Sequence, residues 1–244
     1  MADVAVIAVD GPSGSGKGTL AVRLARRLGW HLLDSGALYR AVAWSALRES
    51  VALDDADALA QVATRLQARF EVISDDEVVV RVNASDISTE IRDEAVSIAA
   101  SRVAALPPVR AALLETQHAF RQSPGLVADG RDMGTVVFPK APLKIFLDAS
   151  AEERAQRRYK QLKDKDLGVS LRALLESIRE RDQRDRSRAV SPLKPADDAV
   201  VIDSSSLSID GVFEQVWQLA RSRGLTPDSK KTSKPHSRRR SKKT

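Results

Sequence analysis

The chain has 244 residues, 43% of them hydrophobic and 30% charged, the balance of a globular protein with a sizeable core. It contains no cysteine, which excludes disulfides and thiolate metal sites; no apolar run approaches a membrane span and no basic-then-apolar leader opens the sequence, so a cytoplasmic protein without membrane contact is expected. The formal charge of +6 is a property of one end: residues 226–244 hold eight Lys and Arg against one acid, leaving 31 basic and 32 acidic residues in 1–225.

The first element is an apolar strand at Val4–Val9, followed by the turn of VDGPSGSGKGTL and a helix at Lys17–Leu28 with alternating apolar and basic residues. Strand, glycine-rich turn and helix form the context of a phosphate-binding loop. Gly11, Gly14 and Gly16 allow successive N–H groups to turn inward around an anion, and the helix start adds its unpaired donors and dipole. Pro12, Ser13 and Ser15 complete the loop, and Lys17 supplies a mobile cation for the outer phosphates. Gly18 stands where the general motif has Ser or Thr, with Thr19 one residue later.

A second strand, Trp30–Leu33, delivers Asp34 and Ser35, and a helix is predicted at Ala37–Arg48. Ser35 has the chemistry of an N-cap or of a substrate contact. Tyr39 and Arg40 follow one turn later, with Arg40 in reach of the same cleft. Residues 70–87 then break the α/β order: two strands around Asp75-Asp76 and a short third predict a small antiparallel insert, flanked by helices at 55–68 and 88–105. Such an insert is either a second-substrate device or a decorative hairpin.

Beyond Pro107-Pro108, a helix is predicted at Val109–Arg121 and a buried strand at Leu126–Asp129. The strand ends on Asp129 and runs into Gly130-Arg131-Asp132 and Gly134. In phosphate-loop proteins an acid at the end of a core strand commonly orders magnesium and its waters. A strand at Leu143–Leu147 and a helix at Ala151–Leu162 follow, with Arg154, Arg157 and Arg158 at i, i+3, i+4 on one face. The helix at Leu171–Asp185 begins a second series, Arg181, Asp185 and Arg188 at i, i+4, i+7. Either series is a salt-bridged solvated face or a phosphate grip, and the guanidinium fork suits the latter. A strand at Ala199–Ile202 and a helix at Ile209–Arg223 close the core. The tail at 226–244 has no apolar residues and is expected to be disordered, either a solubilising extension or a contact for nucleic acid or another anionic surface.

No N-K-x-D guanine-reading motif is present, which argues against a GTPase. Taken in order, VDGPSGSGKGT, WHLLDSGALYR, LVADGRDMGTVVFP, KIFLDAS with EERAQRR, and RERDQRDRSRAVSPL resemble the bacterial-type cytidylate kinases over about residues 4–225. The GKGT variant at 16–19 is shared by many nucleoside monophosphate kinases; DGRDMGTVVFP with RDxRDRxR downstream is the specific part. The resemblance implies an α/β fold: a P-loop kinase core over 1–60 and 106–225 with a five-stranded parallel sheet, an inserted CMP-binding domain at 61–105 and a helical lid near 150–165. It implies transfer of the ATP γ-phosphate to CMP or dCMP with Mg²⁺, in a monomer. Gly11 to Thr19, Arg154 and Arg157 would hold ATP. Ser35, Ser101, Arg110, Arg131, Asp132 and Arg188 would hold the base or phosphate of CMP. Arg181 and Asp185 would reach the sugar, with Tyr39 and Arg40 lining the site. Lys17, Asp129, Arg131, Arg158 and Arg188 would act on the transferring group, Asp129 meeting the metal through water, with no residue assigned as a direct ligand. Other small-molecule kinases, for adenylate, uridylate or shikimate, are the near alternatives, and a tail-recruited RNA-associated ATPase the distant one.

Overall fold

The computed structural model describes residues 4–75, 77–163 and 170–227. The expectations for the tail, beyond its first two residues, and for the last two residues of the 150–165 lid lie outside them.

Five strands form one parallel sheet: β1 (Val6–Asp10), β2 (His31–Asp34), β6 (Leu126–Gly130), β7 (Leu143–Asp148) and β8 (Val200–Asp203), in the order β2-β6-β1-β7-β8. Three more, β3 (Ala68–Val72), β4 (Val78–Val82) and β5 (Ser85–Asp86), form the antiparallel insert. The helices are α1 (Lys17–Leu28), α2 (Ser35–Arg48), α3 (Ala56–Thr64), α4 (Glu94–Val103), α5 (Pro107–Ala119), α6 (Ala151–Lys163), α7 (Leu171–Ser187) and α8 (Ile209–Ser222).

The central strand is apolar along its length because both of its faces are covered. Val6 and Ala8 of β1 point into one core, shared with α2 and α5; Ile7 and Val9 point into the other, shared with α1 and α8. Among the described residues the insert has no core of its own. Val80, Val82, Ile87, Val96 and Val103 join the same apolar cluster as Leu38 and Val42 of α2 and Val109 and Leu113 of α5. The β3–β4 hairpin also reaches past the edge strand β2, where Val72 and Val78 touch the second core and Asp75 meets Arg26 of α1 at 2.8 Å.

Sheet strands run one residue further than the apolar runs predict, because the residue at each carboxyl end still sits in the ladder. Asp10 lies opposite Gly130, Asp34 opposite Asp129 and Asp148 opposite Asp203. All five strands therefore bring an aspartate to the same edge: Asp10, Asp34, Asp129, Asp148 and Asp203. The helix predicted from Ala37 starts at Ser35, and its cap is Asp34 rather than Ser35: the Asp34 carboxylate accepts the Ala37 N–H at 2.8 Å. The proline pair opens α5 at its first turn, where a missing N–H costs nothing.

Candidate active site

The phosphate loop lies between β1 and α1 at the carboxyl edge of the sheet, beside the point where the chain leaves β1 towards β2 on one side and leaves the adjacent β6 towards β7 on the other. Gly11 has no alternative: a Cβ there would stand 2.1 Å from the Leu147 carbonyl oxygen. Gly16, at φ 92°, turns the chain into α1. Lys17 is buried, donates to the Pro12 carbonyl at 3.1 Å and stands 4.0 Å from Asp129 Oδ1. Gly18 packs closely on Asp129: a Cβ at 18 would lie 3.3 Å from its Oδ2, a tight contact that glycine avoids.

Burial pushes the Lys17 ammonium down, and Arg131 adds to the fall; burial pushes the Asp129 carboxyl up. Each partly restores the charge of the other. Asp129 Oδ1 is buried and accepts no hydrogen bond. Among the described residues no group of three or more His, Cys, Asp or Glu could cage a metal. One unsatisfied carboxylate oxygen fits a divalent cation that keeps its waters, as Mg²⁺ does.

Asp10 was not legible as a site residue. Its two oxygens accept the Met133 and Gly134 N–H groups, each at 2.8 Å, and so tie the GRDMG turn to the strand that enters the phosphate loop. Residues Met133–Val137 form a π-helical turn, a widened coil that such turns adopt near functional sites. Burial pushes the Asp10 carboxyl up to about 7 against the pull of those donors, with the charges of Asp132 and Asp129 adding to the rise. The fold therefore keeps a proton that the unfolded chain releases near the ordinary value of 3.8. The resulting stabilisation is complete below that value and is lost as pH rises through about 7. In urea unfolding, the stability of the unaltered protein relative to Asp10→Asn is expected to fall by on the order of 1 kcal/mol or more between pH 4 and 7.5. A difference independent of pH would show that this carboxyl titrates normally in the fold.

A cavity next to the loop gathers Ser35, Tyr39, Ser101, Arg110, Arg131, Asp132, Arg181, Asp185 and Arg188 from α2, α4, α5, the GRDMG turn and α7. Its charges are built in pairs. Asp132 receives Arg110, whose guanidinium also lies 5.6 Å from the Tyr39 ring centroid. Asp185 receives Arg131 Nε at 3.0 Å on one oxygen and Arg188 on the other. Burial opposes the Asp185 charge, but Arg131, Arg188 and Arg181 outweigh it and hold the carboxyl below its usual range. Burial, with Arg131, brings Arg181 down to about 10, and its Nε makes no hydrogen bond. Arg131 lines the cavity, and its charge presses on both Lys17 of the loop and Arg181. Ser35 Oγ accepts from Gln117 Nε2 of α5 at 2.9 Å, a contact that no local pattern announced. Ser101 Oγ is buried without a partner. Arg40 lies outside this cavity: it pairs with Asp34 at 3.2 Å and lines the adjacent hollow with Gly18, Thr19 and Asp129.

The arginine face of α6 divides. Arg154 donates to the Ser13 carbonyl at 3.1 Å, and Arg157 to the Ser15 carbonyl at 3.4 Å, so both grip the phosphate loop from outside. Arg157 is steadied by the Ser204 carbonyl at 2.6 Å. Arg158, one residue on, is not brought to the loop: it is partly exposed and stands 3.9 Å from Glu94 at the start of α4.

The cytidylate kinase family model matches residues 7–222. The cytidylate kinase of Aeromonas salmonicida (strain A449) is 60% identical over 215 residues, 88% of this chain and 93% of that protein. That of Pseudomonas paraeruginosa is 59% identical over 217 residues, 88% of this chain and 94% of its own. That of Vibrio cholerae is 58% identical over 218 residues, covering 89% and 96%.

Proposed function

The chain belongs to the cytidylate kinase family, and on that premise we propose that it moves the γ-phosphoryl group of ATP onto CMP or dCMP, giving ADP and CDP or dCDP. The observation that carries the reading is the charge of the cavity beside the phosphate loop. Four arginines, Arg110, Arg131, Arg181 and Arg188, face two aspartates, Asp132 and Asp185. The surplus of two positive charges matches a phosphate monoester, which carries roughly −1.5 to −2 at neutral pH.

In this reading the loop from Gly11 to Thr19 cradles the ATP phosphates on backbone N–H groups and the start of α1. Asp132 accepts from the exocyclic amine of cytosine, while Arg110 and the unsatisfied Ser101 hydroxyl meet the ring acceptors. Asp185 and Arg181 hold the ribose, and Arg131, whose charge acts on both Lys17 and the cavity, serves both phosphate groups. The acceptor is already largely dianionic, so no general base is needed. The protein's task is to bring two anions into line and cancel their repulsion, which Lys17, Arg131 and Arg188 do. Mg²⁺, arriving with ATP, would neutralise charge on the phosphates, with Asp129 holding its water shell. Domains at 1–60 with 106–225 and at 61–105, a monomeric state and a cytosolic setting complete the proposal.

A panel of nucleoside monophosphates in an ADP-release assay tests it. Turnover with CMP and dCMP is expected to exceed that with AMP or GMP by at least about a hundredfold, the discrimination available to a site whose buried polar groups would be left unpaired. Equal rates across the panel, or none with CMP and dCMP, would overturn the assignment.

A further inference from the structure

One buried guanidinium joins the phosphate loop to the helix that carries the acceptor arginines. Arg154 is 2% exposed. It reaches the Ser13 carbonyl at 3.1 Å and the Ala149 carbonyl at 3.0 Å, and its two terminal nitrogens meet the two oxygens of Asp182 on α7 at 3.0 and 2.5 Å. A two-pronged pair of this kind fixes orientation as well as position. Asp185 stands three residues further along the same face of α7, with both its oxygens taken by Arg131 and Arg188. The helix therefore presents two carboxylates one turn apart, one gripping the loop side and one the acceptor side. On a rigid helix, a displacement that resets one grip resets the other.

We propose that Asp182 is a positioning residue that couples the two substrate sites. An acceptor drawing Arg131 and Arg188 onto its phosphate moves Asp185, and with it α7. Asp182 carries that shift to Arg154 and so to the Ser13 carbonyl inside the phosphate loop. Among the described residues, the other ion pair between α6 and α7, Arg179 to Glu152 at 2.6 Å, is exposed and contributes little. The proposal rests on the kinase reading above. By reciprocity, each substrate must tighten the other by one shared factor.

Calorimetry on the full chain tests it, titrating a non-hydrolysable ATP analogue with and without saturating CMP. The unaltered protein is expected to bind the analogue about tenfold more tightly when CMP is present, within the usual range of such couplings. Asp182→Asn, which loses the charge and one prong, is expected to reduce the factor below about twofold, and Asp182→Glu to restore part of it. Arg154→Lys, which keeps the cation without the fork, serves as a second route should the first variant fail to fold, and is expected to give the same loss. A purely structural role would lower the melting temperature and leave the factor unchanged. An unchanged factor in either variant, or none in the unaltered protein, overturns the coupling. Failure of the kinase reading has a separate signature: no ADP release from ATP when CMP or dCMP is added to the unaltered chain.

Discussion

Lys17→Ala is expected to lower kcat by about 10³-fold or more while leaving CMP affinity within a few-fold, because the lost interaction is made with the transferring group. Lys17 is held for that task by burial on the Pro12 carbonyl and by the Asp129 carboxylate 4.0 Å away. Both contacts fix the ammonium in advance, so no reorganisation is needed as charge develops on the phosphates. Its own burial makes the cation costly, which means that its removal should not greatly destabilise the fold. A melting temperature near the original, together with collapsed turnover in the ADP-release assay, is the expected pair of results. Near-normal turnover would detach this loop from catalysis.

The second large effect is expected from Asp185→Ala, which should reduce kcat/KM for CMP and dCMP alike by about 10²–10³-fold. Asp185 is almost fully buried and is the common anion of Arg131 and Arg188, with Arg181 close by. Without it, three neighbouring guanidinium groups repel one another, and the proposed hold on the ribose is lost with them. Breaking a buried pair of this kind costs about 3–5 kcal/mol, so the variant should also melt earlier. The stabilisation from this carboxylate is present above the ordinary carboxylate range and is lost only as pH falls through its depressed value, so the melting difference should be flat around neutrality. Steady-state kinetics with both acceptors provides the check, and unchanged values would remove α7 from the acceptor site.

What could be read from the sequence was whatever is local. The phosphate loop, the GRDMG turn and the i, i+4, i+7 series on α7 each declare themselves within a dozen residues, and the apolar runs place every strand of the main sheet to within about two residues. What could not be read depends on distant partners. Asp10 looks like the last residue of a strand until Met133 and Gly134 are found on its oxygens, and Asp182 looks like one more charge on a solvated helix until Arg154 is found opposite. Spacing puts Arg154, Arg157 and Arg158 on one face, yet packing divides them: Arg157 and Arg158 flank Arg154 on opposite sides, and Arg158 falls on the flank towards α4 while Arg154 and Arg157 reach the loop. Asp34 and Ser35 are both good caps, and only the strand register decides between them.

Asp34 at the end of β2, Asp132 on the turn, and Asp182 and Asp185 on α7 have a consequence for turnover. Most arginines around the loop and the cavity already have a carboxylate in hand: Arg110 has Asp132, Arg131 and Arg188 have Asp185, Arg40 has Asp34, and Arg154 has Asp182. These acids behave as tethered counter-ions. An incoming nucleotide exchanges places with them rather than meeting bare cations, and a departing one is replaced at once by a partner that never left. A site built this way tolerates highly charged products without being trapped by them, and it gives up some affinity in return for release.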